Sequence, residues 1–199
     1  MRGSLALATL GLALGATIAA GQGSAVKPDT SHPPYTASDV SFMTGMIAHH
    51  AQAILMAGWA PSHGASQSVR VLCERIVVAQ NDEIVSMQRW LRERGLPVPD
   101  GHAMAGHDMA GMDHGALMPG MLTPAQLTQL DAARGATFDR LFLTFMIQHH
   151  QGALVMVDKL FASPGAMMDD VMYKFASDVS ADQSTEIERM QKMLAALPS

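Results

Sequence analysis

The sequence MIAHHAQAILM, residues 46–56, places two adjacent histidines in the middle of an apolar helical pattern. A closely similar sequence, MIQHHQGALVM, occupies residues 146–156. On a helical wheel Phe42, Met46 and His49 follow steps of four and three, so they share one face. Buried imidazoles are costly without partners, and the surroundings of these histidines therefore decide how the chain folds.

The similarity extends to a second pair of segments. Residues 42–56 and 142–156 align without a gap, and residues 80–91, QNDEIVSMQRWL, align with residues 183–194, QSTEIERMQKML. Each half therefore predicts a helical hairpin. One hairpin leaves an apolar stripe uncovered, and two hairpins cover each other. The predicted fold is all-α, a ferritin-like four-helix bundle built from two repeated hairpins.

The N-terminal sequence predicts export. Residues 1–25 contain one early arginine and then a short run of Leu, Ala and Gly that ends in small residues, as in a cleaved Sec-type signal peptide. The alternative is an uncleaved membrane anchor. We expect a periplasmic or secreted protein that does not remain membrane-bound after cleavage.

The rest of the chain divides by composition. The predicted segments are an extended lead-in at 26–37, a first hairpin at 38–99, a Met/His-rich linker at 100–122 and a second hairpin at 123–199, with 38–199 as one domain.

Several local patterns predict where the helices begin and end. Ser38 or Asp39 is expected to cap the first helix, and Thr123 with Pro124 to start the second hairpin. The helix that follows is expected to break near Gly135. The last helix is expected to run from about residue 167 to about residue 197.

Composition excludes some functions. The chain has 199 residues and a net charge of −5, which argues against a nucleic-acid partner. Cys73 is the only cysteine, so no internal disulfide can form. It lies in an apolar helical pattern, and we interpret it as a small buried hydrophobe. The 17 methionines are the unusual feature, because a thioether is also a soft metal ligand.

The bundle core has two interpretations. The first is a metal site of imidazole, thioether and carboxylate groups, with Met46 beside His50, Met146 beside His150, and the other two histidines engaged in polar pairing. The second is purely structural: each glutamate pairs with a histidine of its own hairpin and fixes the helix register. The candidate core residues are Met43, Met46, His49, His50, Glu83, Met146, His149, His150 and Glu186.

The linker resembles a string of ligands. Its imidazole and thioether side chains are spaced two to four residues apart, at His102, Met104, His107, Met109, Met112, His114, Met118 and Met121. This neutral, soft set suits Cu(I) or Ag(I), with Cu(II) as a further possibility for the imidazoles. The alternative is a solvated linker in which these side chains have no function.

These sequences resemble a known family. FMTGMIAHHAQAILM, FDRLFLTFMIQHHQGALVM and GMLTPAQLTQLDAARGATFDRLFL are similar to the bacterial family called domain of unknown function 305. The resemblance implies a ferritin-like bundle, export and copper handling. It transfers a copper-binding role to Met46, His49, His50, Met146, His149 and His150. Leu143 departs from the first half, which has Met43.

We therefore expect a copper-binding chaperone, buffer or tolerance factor without enzymatic activity, whose partner is a copper exporter or another periplasmic copper protein. A structural or partner-binding helical bundle with no metal role is the alternative. A metal-dependent oxidase is less favoured, because ferritin-like di-iron sites use Glu-x-x-His motifs that neither repeat contains.

Replacing every linker methionine by leucine should weaken Cu(I) binding, because leucine keeps the volume and removes the sulfur. Far-UV circular dichroism should show unchanged helicity. Cu(I) uptake equal to that of the unmodified chain would contradict a ligand role for the linker.

Overall fold

The computed structural model describes residues 32–100 and 117–198, and helices are the regular secondary structure of this described part of the chain. The helices are α1 (Ala37–Gly58), α2 (Gln67–Glu93), α3 (Pro124–Ala132), α4 (Gly135–Phe161) and α5 (Asp170–Ala195). The predicted all-α bundle is confirmed. No helix in these two ranges is long and apolar enough to cross a bilayer.

Helix α1 begins with a capping box at Thr36, two or three residues earlier than the cap was predicted. The hydroxyl of Thr36 accepts a hydrogen bond from the Asp39 backbone N–H at 3.3 Å. The Asp39 carboxylate accepts one from the Thr36 N–H at 2.7 Å. The prediction of Ser38 or Asp39 as the cap was wrong, because Asp39 serves as the third helical residue of the box.

Asp39 also determines where the last helix can start. Its second oxygen accepts the backbone N–H of Met167 at 2.9 Å, and Met167 has a φ of 57°. A left-handed residue cannot continue a helix, so α5 begins at Asp170, later than predicted, with Asp169 as its cap. The other two boundary predictions are confirmed: Thr123 caps α3 through a capping box, and a break precedes Gly135.

The helices pack as two hairpins joined through their first members. Helix α1 packs on α2, α4 packs on α5, α1 packs against α4, and α3 packs on α4. The apolar core forms two clusters. One contains Phe42, Met43, Met46, Ile47, Ile84, Met87, Trp90, Leu91, Ala153, Val157, Leu160, Met172, Ala176 and Val179. The other contains the opposite ends of α1 and α4, including Ala53, Met56, Phe138, Phe142, Leu143, Met146 and Met190.

Between the two clusters lies a layer of polar side chains from all four long helices. We call it the polar layer, and its members are His49, His50, Gln80, Glu83, His149, His150, Gln183 and Glu186.

A short segment, residues 118–122, crosses α1 and α4 beside this layer, and we call it the strap. The Gln52 side chain accepts the Leu122 N–H at 2.7 Å and donates to the Leu122 carbonyl at 3.2 Å. Gln148 donates to the Gly120 carbonyl at 3.3 Å. Gly120 has a φ of +77° and lies against Gly152 of α4. Two glycines in contact let the strap backbone touch the helix backbone.

Buried polar contacts also join the two hairpins at their ends. Asp169 accepts from the Trp90 indole N–H at 3.0 Å and forms an ion pair with Arg94, whose guanidinium stacks 4.1 Å from the Trp90 ring. At the other end, Asp139 accepts the Ser66 backbone N–H at 3.2 Å through both oxygens. The relative position of the hairpins is therefore determined on both sides of the polar layer.

Gly152→Ala should destabilise the protein, because the new Cβ would overlap the Pro119 carbonyl and the Gly120 Cα, both of them backbone. We expect a loss of about 2–4 kcal/mol in the free energy of unfolding, as for other forced overpacking.

Gly58→Ala is the matched control. A Cβ added there would meet no other part of the described chain within 4 Å, and alanine favours a helix by up to about 1 kcal/mol. Urea unfolding measures both changes. Equal stability of Gly152→Ala and the parent chain would mean that the strap does not lie on α4.

Candidate metal centre

The four central histidines are completely enclosed. His49 and His50 on α1 and His149 and His150 on α4 are each at most 1% exposed. They lie in the middle of their helices. Because adjacent residues of a helix project in different directions, one histidine of each pair faces the other hairpin and the second faces the partner helix of its own hairpin.

The second histidine of each pair bonds to a glutamate of its own hairpin. His50 Nε2 donates to Glu83 Oε2 at 2.5 Å, and His150 Nε2 donates to Glu186 Oε2 at 2.7 Å. The sequence predicts a histidine–glutamate pair within each hairpin, and these pairs are present. The assignment of this polar pairing to His49 and His149 was wrong, because the side chains that face α2 and α5 are those of His50 and His150.

The first histidines instead meet each other across the bundle. The His49 and His149 rings are 3.8 Å apart between centroids and tilted by 38°. His49 Nε2 donates to the Pro119 carbonyl of the strap at 2.9 Å. Neither nitrogen of His149 has a hydrogen-bond partner in the described structure.

Burial keeps these two rings neutral. Desolvation, together with the neighbouring His50, lowers the pKa of His49 from 6.5 to about 3. Desolvation and the nearby His49 lower the pKa of His149 well below 6.5. Two imidazolium ions could not lie 3.8 Å apart in so enclosed a place, and two neutral rings can.

The polar layer holds almost all of the unpartnered buried polar atoms of the described structure. They are Nδ1 of His49, His50 and His150, both nitrogens of His149, both amide atoms of Gln80, and Oε1 of Gln183, with Arg94 Nε as the exception. An unmade hydrogen bond costs about 1–3 kcal/mol per buried group. Such a concentration in one layer needs an explanation beyond packing.

In three of the four histidines the tautomer follows from the contacts. His49, His50 and His150 each donate through Nε2 to an oxygen acceptor, so the Nδ1 lone pair is free in the neutral ring. A carboxylate on one imidazole nitrogen orients the ring and makes the other nitrogen a better metal ligand. The layer thus presents imidazole lone pairs in an interior shielded from solvent.

Thioethers lie on both sides of this layer. Met43 and Met46 belong to one apolar cluster, and Met146 belongs to the other. All are at most 1% exposed. Met46 and Met146 therefore flank the histidines from opposite sides. Leu143 occupies the place equivalent to Met43, so the thioether supply is unequal.

The described residues do not already form a complete ligand set. No three His, Cys, Asp or Glu side chains within 32–100 and 117–198 are arranged to hold an ion together. Any site in the layer would need sulfur or amide ligands, or a small rearrangement. Cys73 is not a ligand candidate here: it is 2% exposed, and burial raises the pKa of its thiol to about 12.

The linker candidates His102, Met104, His107, Met109, Met112 and His114 lie outside the described residues, as does the predicted signal peptide. The end of the linker is described. Met118 lies in a groove between α1 and α4 with its sulfur close to Gly45, and the terminal methyl of Met156 is next to the same glycine. Met121 is buried beside it in the strap.

Sequence reasoning missed three contributors. The Pro119 carbonyl bonds to His49, and Gln52 and Gln148 hold the strap in place. The two glutamines beside the histidines on α1 and α4 were the one sequence feature that could have indicated the strap. Glutamine is too common on helices for its position alone to predict such a contact.

The fold and the layer together define a helical bundle with two histidine–glutamate pairs at its centre. The sequence matches the family described as domain of unknown function (DUF305) over residues 39–194. The chain belongs to the DUF305 family. No curated protein shows significant sequence similarity to it.

Solved structures agree with this assignment. A DUF305 protein from Streptomyces coelicolor, predicted to be secreted, is 26% identical with a TM-score of 0.65 over 79% of this chain and 92% of that one. A DUF305 fragment from Deinococcus radiodurans is 29% identical with a TM-score of 0.65 over 83% and 100%.

A further neighbour is CopM. Its Cu(II)-bound form is 30% identical, with a TM-score of 0.60 over 79% of this chain and 95% of CopM. CopM structures in Cu(I)-bound, Ag-bound and apo forms are also similar to this chain. The family assignment expected from the sequence is thus confirmed, and the similar structures include a copper-bound protein.

Stability should fall as the pH drops below about 6.5. The unfolded chain takes up protons at His49 and His149 near pH 6.5, and the folded chain does not until about pH 3 at His49. This contribution is therefore fully present above pH 6.5 and is lost progressively below it, by up to roughly 1.4 kcal/mol per pH unit for each histidine.

Urea midpoints between about pH 7 and pH 4 measure this loss. Replacing His49 and His149 together by glutamine should flatten the dependence, and replacing His32, which lies before α1, should not. The same slope in all three proteins would show that the central histidines are not held neutral.

Proposed function

We propose that this protein is an extracytoplasmic copper-binding protein that captures and releases the ion without catalysing a reaction. The observation that carries the proposal is the set of free imidazole lone pairs in the polar layer, next to buried thioethers. Capture and exchange require ligands and a route by which the ion reaches them. The two proposed groups of ligands, the polar layer and the linker, meet at the strap, which is the end of the linker and bonds to His49.

The donor chemistry suits Cu(I) best. Neutral imidazole and thioether ligands are soft and bring no negative charge, so Cu(I) adds one positive charge to the interior where Cu(II) would add two. Because His49 and His149 stay neutral, no proton has to leave before an ion binds. Cu(II) remains compatible with the imidazoles and carboxylates.

The candidate core ligands are the Nδ1 atoms of His50 and His150 with Met46 and Met146, and the His49–His149 pair between them. Glu83 and Glu186 support this arrangement as hydrogen-bond acceptors that orient the two outer rings. Met43 adds a thioether on one side only.

CopM supports the proposal. It is a structural neighbour solved with Cu(I), Cu(II) and silver, which is the set of ions that imidazole and thioether ligands favour. The predicted signal peptide and the Streptomyces coelicolor neighbour support an extracytoplasmic location. A copper exporter or another periplasmic copper protein is the proposed partner.

A structural role is the second candidate, and the histidine–glutamate pairs favour it directly. A buried pair of this kind specifies helix register whether or not a metal binds. This interpretation predicts that copper changes neither stability nor behaviour.

The test is a Cu(I) competition titration against a chromogenic chelator. His50→Gln with His150→Gln should lose the core copper while the bundle still folds, because a glutamine amide can still donate to each glutamate and lacks the Nδ1 lone pair. The linker methionine-to-leucine protein, measured in parallel, separates the second set of ligands.

His63→Gln is the matched control. His63 is also buried and also bonds to a carboxylate, Asp131 at 3.0 Å, but it lies outside the polar layer. Its copper binding should equal that of the parent chain. Unchanged copper binding in the core variant and in the linker variant, or none in the parent, would leave the structural role as the function.

A further inference from the structure

A groove of about 710 Å³ separates α2 from α5 on the outer side of the polar layer. All of the residues that line it belong to these two helices. The lining includes Glu74, Arg75, Gln80, Asp82, Glu83, Asp182, Gln183, Glu186 and Arg189. Five carboxylates face two guanidinium groups, so the groove is negatively charged.

Each wall contributes the same pair of residues. Gln80 and Glu83 on α2 are one helical turn apart, and so are Gln183 and Glu186 on α5. The glutamates are the more accessible members, with side chains 17% and 23% exposed. Each glutamate uses Oε2 to bond to its histidine, which leaves Oε1 for a ligand in the groove.

The two glutamines are the unexplained members. Gln80 is 2% exposed with neither amide atom bonded, and Gln183 is 3% exposed with its Oε1 unbonded. An amide in such a position normally finds a partner. Both glutamines line the groove beside carboxylates. Their side-chain oxygens have no hydrogen-bond partner within the described chain, and an amide oxygen can serve as a metal ligand.

The electrostatics of the groove favour a bound cation. Asp182 lies at the rim, one turn before Glu186. Partial desolvation, followed by the carboxylates of Glu83 and Glu186, raises the pKa of Asp182. A bound cation would reduce the electrostatic repulsion between carboxylates that lie this close together.

We propose that the groove binds one divalent cation through oxygen ligands, the carboxylates of Glu83 and Glu186 and the amide oxygens of Gln80 and Gln183. Asp182 attracts the ion at the rim. Two of these ligands are carboxylates and two are amides. Oxygen-only ligation favours hard ions such as Mn(II), Mg(II) or Ca(II) over Cu(I).

Mn(II) is the probe, because the methionines and histidines of the linker bind it weakly and the EPR signal of the hydrated ion disappears on binding. The full mature chain should bind one Mn(II). Replacing Gln80 and Gln183 by leucine should weaken binding by at least about tenfold. The same variant should resist urea better in the absence of metal, because it removes unpartnered buried amides.

Two controls separate the site from general electrostatics and from packing. Gln191→Leu makes the same chemical change on an exposed position of α5 and should bind Mn(II) normally. Asp182→Asn should weaken binding more than Asp178→Asn, which changes the same charge one turn earlier, at a position that does not line the groove.

Absence of Mn(II) binding by the parent chain, equal binding by the glutamine-to-leucine variant, or equal losses in the two aspartate variants would each overturn the inference. The inference does not depend on copper binding. Cu(I) titration of the Asp182→Asn protein should be unaffected, because Asp182 lies outside the polar layer, so failure of either site is visible without the other.

Discussion

The constraint on which the structure depends is that four histidines must be accommodated in the solvent-shielded centre of a helical bundle. They divide the apolar core into two clusters, and each cluster packs the end of α1 against the opposite end of α4. A slip of one helix by a single residue would move a histidine into an apolar cluster and leave a glutamate without its partner. The layer therefore sets the register of both hairpins at once, and the surrounding apolar contacts follow from it.

The layer also connects parts of the molecule that are far apart in sequence. On its inner side His49 bonds to the strap, which is the end of the Met/His-rich linker. On its outer side the two glutamates line the groove between α2 and α5. Soft ligands thus lie toward the linker and hard oxygen ligands toward the groove. The histidines separate two chemically different surroundings, and the proposed copper and divalent-cation sites differ for that reason.

Much of this arrangement follows from the sequence, because repeated histidine and glutamate positions at helical spacing leave few ways to pack. The pairing of histidine with glutamate was predictable on those grounds. Which histidine pairs was not: His49 and His50 project about 100° apart, both on the buried side, and the choice depends on how α1 is rotated against α2. The strap was equally hidden. From the sequence, Gly152 is only a residue that disfavours a helix. Nothing in the residues around it predicts that Pro119 and Gly120 pack against it.

The strap accepts a hydrogen bond from the ring of His49 and makes none with the ring of His149. Two identical hairpins associating as a symmetric dimer could not make that distinction, since every contact of one copy would recur in the other. A single chain that contains both hairpins is free of this equality. It can give its two halves different neighbours, such as Met43 on one side and Leu143 on the other, and so make the two ends of a duplicated scaffold chemically unequal.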